Sequence, residues 1–295
     1  MAELTTKILD CTIRDGGHLT GWNFPDEVVA ASFEAAGKSG IDYFEIGYLN
    51  GVGGKFAQCS SLSGILGAKG SVKVAAMVNA GGRAYSIPEN GFIDAVRIAC
   101  HPDETEIGLH ICEEFASKGF EVFLHLMNIS GMDDAHFSML SGWSKKEILS
   151  SVYFADSFGS LIPVDIEKYF SRLKLSGFNK ISFHAHNNMQ MAFANTLCAI
   201  NCGAYSVDVT AYGMGRGSGN LPAELLLGYL NRNPVFYLEL IEKYYLKAEY
   251  LELFEKYRWG YSVPNLIGGL KNLHPRKINE LSAYSFSQMW QKSDI

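Results

Sequence analysis

Short apolar, β-branched runs alternate with longer amphipathic stretches from the N-terminus to about residue 232. Strand-like runs cover residues 8–14, 43–49, 72–78, 95–100, 122–127, 152–155, 181–186 and 206–210. Most are apolar throughout rather than alternating, as strands covered on both faces are. Helical periodicity fills the intervals at 25–38, 103–118, 164–175 and 189–201, with Gly40, Gly119, Gly177 and Gly203 placed to close helices in a left-handed conformation. Eight strand candidates alternating with helices predict a parallel sheet closed as a (β/α)8 TIM barrel rather than an open doubly wound sheet. Residues 1–232 are the expected barrel domain. After Asn231 the pattern turns to an aromatic, charged helical stretch at 235–257, then a Gly- and Asn-rich run from Trp259 to Pro275 and a last helical segment. Residues 233–295 are therefore expected as a short C-terminal helical appendage, packed on the barrel or at a subunit contact.

Chemistry on such a barrel sits at the C-terminal ends of the strands. Arg14 to His18, Glu45, His101, Ser157, His184 to Asn188 and Tyr212 to Asn220 all fall at or just beyond those ends. In the run KISFHAHNN, strand alternation puts His184 and His186 on one face, where two imidazoles can clamp a single cation. Asp15, in the run ILDCTIRDGGH, adds a hard carboxylate. The set suits a divalent ion, manganese foremost, with magnesium, cobalt or zinc as alternatives. Strict alternation would send Arg14 and Asp15 to opposite faces, so one of them is expected past the regular strand, as Gly16 and Gly17 permit.

Arg14 stays protonated and can face a carbonyl or enolate oxygen. Glu45, in YFEIGYL, would be costly to bury alone, and pairing with Arg14 removes that cost. Arg97, in AVRIAC, is expected to hold either a substrate carboxylate or a buried Asp. The run YGMGRGSGNLPAE is expected as an anion site for carboxylate or phosphate, with Gly215 and Gly217 in its loop and a helix N-terminus behind them. Asn220 reads equally as a helix cap or a metal donor.

Composition narrows the class. The chain has 295 residues, 47% of them hydrophobic, and a formal charge of −6 with no basic cluster, which argues against a nucleic-acid surface. The start MAELTTKILD has neither a basic n-region nor an apolar h-region, and no apolar run nears the length of a membrane span. A cytoplasmic protein without membrane partners is expected. The 6 cysteines are scattered without a CxxC pair and are expected as reduced, packed thiols.

The runs RDGGH, VRIACHPDE, ADSFG, HAHNNMQMAFAN and AYGMGRGSGN, taken in order, resemble the DRE-TIM metallolyase superfamily with its HMGL-like domain, and within it the 4-hydroxy-2-oxovalerate aldolases, which are class II pyruvate aldolases. The resemblance covers most of residues 7–232. It implies that Asp15, His184 and His186 hold the metal, that Arg14 stabilises a pyruvate enolate, and that His18 handles the 4-hydroxyl proton. The partners it implies are pyruvate and an aldehyde, or the corresponding 4-hydroxy-2-oxo acid, in a homo-oligomer. Bacterial catabolic relatives take a catalytic tyrosine from a longer C-terminal region that docks an aldehyde dehydrogenase. Here Tyr261 and Tyr284 are the candidates, and the departure of the tail argues against that partner. The WGY and HP tail is similar to that of aldolase-like proteins of polysaccharide biosynthesis, which implies a sugar-derived aldehyde. Two alternatives stand beside this reading. One is a Claisen-type acyl-CoA synthase or HMG-CoA-lyase-like enzyme, against which His18 and the cysteine-free loop at 213–220 argue. The other is a barrel that binds metal or ligand without turnover.

Overall fold

A computed structural model describes residues 6–50, 62–82, 84–88, 91–246 and 258–293. Eight parallel strands close into a barrel in sequence order. They are β1 Lys7–Asp10, β2 Tyr43–Tyr48, β3 Lys73–Asn79, β4 Ala95–Cys100, β5 Glu121–Leu126, β6 Leu149–Asp156, β7 Ile181–Ala185 and β8 Ser206–Val209. Closure is made by β1 against β8, with Lys7 opposite Ser206 and Asp10 opposite Val209. The TIM barrel expected from the pattern of apolar runs is the observed fold.

The helices of the shell are α1 Thr12–Thr20, α2 Asp26–Lys38, α3 Leu62–Leu66, α4 Thr105–Ser117, α5 Asp134–Gly142, α6 Pro163–Leu175, α7 Ala192–Asn201 and α8 Ala223–Tyr229. Gly40, Gly119, Gly177 and Gly203 all have positive φ just past their helices, as expected of left-handed C-terminal residues. α1 corrects the expected first strand, which ends at Asp10 rather than running to Arg14. The Asp10 carboxylate accepts the Thr12 N–H at 2.6 Å and turns the chain into a helix. Gly16 and Gly17 are inside α1, where they make room rather than a turn: a Cβ at Gly16 would meet the Met214 side chain, and one at Gly17 the Trp22 ring. Helical geometry, not a break after the strand, presents both Arg14 and Asp15 to the barrel mouth.

Beyond β8, α9 Val235–Leu240 runs into a π-helical turn, Ile241–Tyr245. The rest of the helical stretch expected at 235–257 lies outside the described residues. Tyr237, fully buried, hydrogen-bonds the Asp10 carboxylate, and Leu240, Tyr244 and Tyr245 belong to the main core. The last three helices, α10 Val263–Leu270, α11 Pro275–Leu281 and α12 Phe286–Lys292, pack on a small core of their own, Ile267, Ile278, Leu281 and Met289. Asn272 Oδ1 fastens this unit to the loops after β5 and β6, accepting from Ser130 Oγ at 3.2 Å and Ser160 Oγ at 2.6 Å. The appendage thus lies on the barrel, over the C-terminal ends of its strands. No described helix is long and apolar enough to cross a membrane.

Candidate active site

The barrel interior is layered. At the N-terminal end Leu9, Tyr43, Phe123 and Tyr153 fill the bore with apolar and aromatic bulk. Two residues further along β2, β4, β5 and β8, the same inward face carries Glu45, Arg97, His125 and Asp208, all buried. Arg97 lies over the Tyr153 ring, its Cζ 4.2 Å from the centroid, and donates through Nη2 to Asp208 at 2.7 Å and to His125 Nδ1 at 2.8 Å. Its Nη1 donates to Glu45 Oε2 at 3.1 Å. Burial, then Arg97 beside it, hold the His125 imidazole neutral, with its pKa well below the usual range. Of the two uses the sequence left open for Arg97, the buried carboxylate is the one taken. With 0% exposure and both terminal nitrogens committed, it cannot reach a substrate carboxylate, which corrects its assignment to substrate binding.

On this charged layer rests the mouth. Arg14 donates through Nε to Glu45 at 2.7 Å and through Nη1 to Asp15 at 2.7 Å, while its buried Nη2 has no partner. Burial alone would lower the Arg14 pKa, but Glu45 and Asp15 drive it well above the ordinary value. Burial would likewise raise that of Asp15, and Arg14, His186 and His184 together hold it well below the usual carboxylate range. Asp15 is therefore an anion and Arg14 a cation at any working pH.

His184 on β7 and His186, one residue past its end, stand side by side as continued alternation requires, with their Nε2 atoms 3.4 Å apart. His184 donates through Nδ1 to Asp208 at 2.8 Å, which leaves the Nε2 lone pair for a cation. His186 is pushed down to about 3, chiefly by burial, and so is neutral as a ligand must be. Ligand atoms of Asp15, His184 and His186 all lie within 4.8 Å of one another. Asn220 is bonded through Nδ2 to Asp15 and, at 3.0 Å, to the Met214 carbonyl, and its buried Oδ1 is without a partner. One carboxylate, two imidazoles and an orphaned amide oxygen fit a divalent cation with room for substrate. Gly215 keeps that amide in place, since a Cβ there would collide with Asn220 and sit 3.1 Å from Asp15 Oδ2.

His18 is on the last turn of α1, half-buried, with its Nε2 3.0 Å from Tyr48 Oη and its ring edge-on to Trp22. Burial first, and then the Arg216 charge, press its pKa down to about 3. Two cavities of about 280 and 300 Å³ adjoin it and share His18, Ser157, Arg216 and Pro275. The inner one reaches His186 and Asn188 and is roofed by Asn265, Ile278 and Asn279 of the appendage; the outer one reaches Tyr48, Asn79, His101 and His274. Ser157 Oγ accepts the Asn128 N–H at 2.7 Å, which fixes it in the wall.

The structure brings the expected residues Arg14, Asp15, Glu45, His184, His186 and Asn220 into one cluster, with His18 and Ser157 on its rim and His101 in the outer lobe. The glycine-rich loop, expected as an anion site, divides into two parts. Most of its N–H groups bond inside the fold, as Ser218 N to Asn188 Oδ1 at 3.1 Å and Asn220 N to Gly213 O at 3.0 Å, and the N–H groups of Gly215, Arg216 and Gly217 have no acceptor among the described residues. Tyr261 and Tyr284 are exposed and line neither cavity. The tyrosine at the site is Tyr48, hidden inside the expected second strand. Asp208 and His125 were also missed; a lone carboxylate in SVDV was the available signal, of the same kind as Glu45. The reach of the appendage into the mouth had no local signal.

The HMGL-like family model matches residues 118–240. An oxaloacetate decarboxylase of Mycobacterium tuberculosis is 31% identical over 239 residues, covering 76% of this chain and 70% of that protein. A 4-hydroxy-2-oxovalerate aldolase of Carboxydothermus hydrogenoformans is 31% identical over 250 residues with the same two coverages of 76% and 70%. Among solved structures, the N-terminal domain of a "putative aldolase" from Bacteroides vulgatus superposes with a TM-score of 0.84 at 29% identity, covering 97% of this chain and 99% of that one. The HMG-CoA lyase of Bacillus subtilis shares the fold, with a TM-score of 0.62 at 20% identity over 88% of this chain and 96% of that one. The chain belongs to the HMGL-like family of the DRE-TIM superfamily, whose named relatives here are lyases.

Proposed function

We propose that this protein is a divalent-metal-dependent aldolase that cleaves or forms a 4-hydroxy-2-oxo acid through the enolate of pyruvate, with an aldehyde as the other partner. The observation that carries the reading is the Arg14 guanidinium. Two of its nitrogens are tied to Glu45 and Asp15, and the third, Nη2, is buried beside the cation ligands without a partner. That is a fixed donor waiting for an oxyanion in a water-poor site.

A cation held by Asp15, His184 and His186, with Asn220 as a further donor, would supply Lewis-acid polarisation of the 2-oxo group. The chain's own residues do the rest. Arg14 Nη2 donates to the 2-oxygen as negative charge develops there. In the cleavage direction His18, neutral before reaction, takes the 4-hydroxyl proton; the C3–C4 bond breaks, its electron pair forms the enolate, and the 4-carbon leaves as aldehyde. Proton return to C3 then gives pyruvate, with no net oxidation. Tyr48 holds the His18 ring, and Trp22 covers its edge.

A decarboxylase reading is favoured by the oxaloacetate decarboxylase relative, since loss of CO2 from a 2-oxo acid gives the same enolate. It would use Arg14 in the same way but needs no base for a hydroxyl proton, so His18 favours the aldolase. His18 and the thiol-free loop likewise weigh against the acyl-CoA and HMG-CoA-lyase readings. The test follows the pyruvate methyl signal by NMR in deuterium oxide with the protein and Mn2+ or Mg2+, the latter for sharp lines. Metal-dependent loss of that signal, abolished in Arg14→Ala, is expected. No exchange, with release of free thiol from an acyl-CoA instead, would replace this reading with the Claisen one; no exchange and no turnover of any of these substrates would leave a binding barrel.

A further inference from the structure

The two cavities at the mouth meet at His18. On the aldolase reading, on which this inference rests, that position has a consequence. The base for the 4-hydroxyl must stand where the pyruvate-derived carbons end and the aldehyde-derived carbons begin. The lobe that contains His186 then belongs to the 2-oxo acid, and the lobe beyond His18, with Tyr48, Asn79, His101 and His274, receives the rest of the aldehyde.

Arg216 borders both lobes. Unlike Arg14, it is exposed and makes no ion pair or hydrogen bond to a described side chain. After burial, its charge is the largest influence on His18. Its own N–H and those of Gly215 and Gly217 have no acceptor among the described residues, so backbone donors and guanidinium stand together at the junction. Among the described residues, the one carboxylate lining the outer lobe is Glu104, and its Oε2 accepts the His101 N–H at 2.9 Å, closing the short turn after β4. His101 and His274 supply further ring nitrogens on the same wall. Among the described residues the outer lobe therefore presents one unpaired cation and imidazoles, with the free N–H of Arg216 beside them, a set that matches an anion.

We propose that the acceptor aldehyde carries an anionic terminus, a carboxylate or a phosphate ester, and that Arg216 holds it in the outer lobe as the residue that sets acceptor specificity. A neutral aldehyde would leave the guanidinium with solvent alone and gain nothing from it.

The experiment compares kcat/KM for aldol addition of pyruvate to glyceraldehyde 3-phosphate, succinic semialdehyde and neutral glyceraldehyde, in the parent and in Arg216→Gln and Arg216→Glu. In parallel, calorimetry of the metal-loaded protein measures binding of glycerol 3-phosphate, glycerate and glycerol. The parent is expected to prefer an anionic acceptor, the phosphate and carboxylate arms telling which. R216Q should cut the ratio of anionic to neutral kcat/KM by about 10- to 100-fold, the loss of one charge-assisted contact, and R216E should lower it further. Equal losses for charged and neutral acceptors would overturn the proposal and assign Arg216 to the pyruvate carboxylate, as would a ratio that R216Q leaves alone. The two readings fail separately. Pyruvate exchange with no Arg216-dependent anion preference sinks the subsite and keeps the enolate chemistry; Arg216-dependent binding of glycerol 3-phosphate or glycerate without exchange keeps the subsite and sinks the aldolase.

Discussion

His184 and Asp208, on neighbouring strands β7 and β8, are joined Nδ1 to Oδ2 at 2.8 Å, so a buried carboxylate decides which nitrogen of the imidazole faces the candidate cation site. The same oxygen accepts from Arg97 at 2.7 Å. That sharing ties the candidate ligand shell to the charged layer beneath it, a second link beside the one from Asp15 through Arg14 to Glu45.

Asp208→Asn should therefore weaken divalent-cation binding by about 10- to 100-fold, the usual effect of removing the carboxylate behind a ligating histidine. It should also lower the melting temperature, because Arg97 loses one of its two buried counter-charges. Calorimetric metal titration and thermal melts of the same preparation check both. Parent-like affinity would mean that the imidazole keeps its orientation without Asp208.

Arg14→Lys should keep the charge but lose most turnover, since an ammonium cannot hold Glu45 and Asp15 while aiming a third donor at the enolate oxygen. Glu45→Gln should affect turnover less and stability more, because Arg14 and Arg97 both lean on that one carboxylate. Steady-state kinetics and melting temperatures decide the order. A larger kinetic loss in the Glu45 variant than in the Arg14 variant would move the chemistry from the guanidinium to the carboxylate.

Much of this was legible because barrel strands carry their own signal. An apolar run with one inward polar residue announces both a strand and something its partner must satisfy, as Glu45 in YFEIGYL does. The two histidines of HAH needed only strand alternation. The partner itself is another matter, since Arg97 meets Asp208 across a separation of 111 residues, and closure of the barrel rather than local pattern puts them together. α1 escaped notice for a different reason. Adjacent glycines disfavour a helix by local propensity, and the packing of Met214 and Trp22 against them overrides it. The appendage gave helices but no direction, so the placement of Asn265 and Ile278 over the mouth came only with the fold.

The pH dependence has a definite sign. His18 accepts a proton only when neutral; an ordinary imidazole would lose that capacity as pH falls through about 6.5, whereas His18 is held down to about 3 by burial and by Arg216. kcat/KM for cleavage should accordingly show no loss from His18 protonation between pH 7.5 and about 5.5. In Arg216→Gln, where the repelling charge is gone, any His18-dependent acid limb should shift to higher pH. Rate profiles at saturating metal check this. A limb near 6.5 in the parent that vanishes with His18 would show that the imidazole is not held neutral.

The final prediction separates the two lyase activities named among the relatives through His18. Cleavage of a 4-hydroxy-2-oxo acid cannot begin until the hydroxyl proton has somewhere to go, and His18 is the neutral imidazole at the junction of the two lobes. Loss of CO2 from oxaloacetate starts from a carboxylate that has no such proton. His18→Ala should therefore lower retro-aldol cleavage by about 10²- to 10⁴-fold, the range of a general base, while decarboxylation of oxaloacetate falls far less. Metal affinity should change little, because His18 is not among the atoms that gather at Asp15, His184 and His186. Tyr48→Phe serves as the companion variant. It removes the oxygen 3.0 Å from His18 Nε2 but keeps the ring, so it should give a smaller loss in the same reaction and leave decarboxylation alone. Coupled assays for pyruvate release from each substrate read all three proteins side by side. Equal losses of both activities in the His18 variant would assign the imidazole to the enolate step they share and remove it as the hydroxyl base.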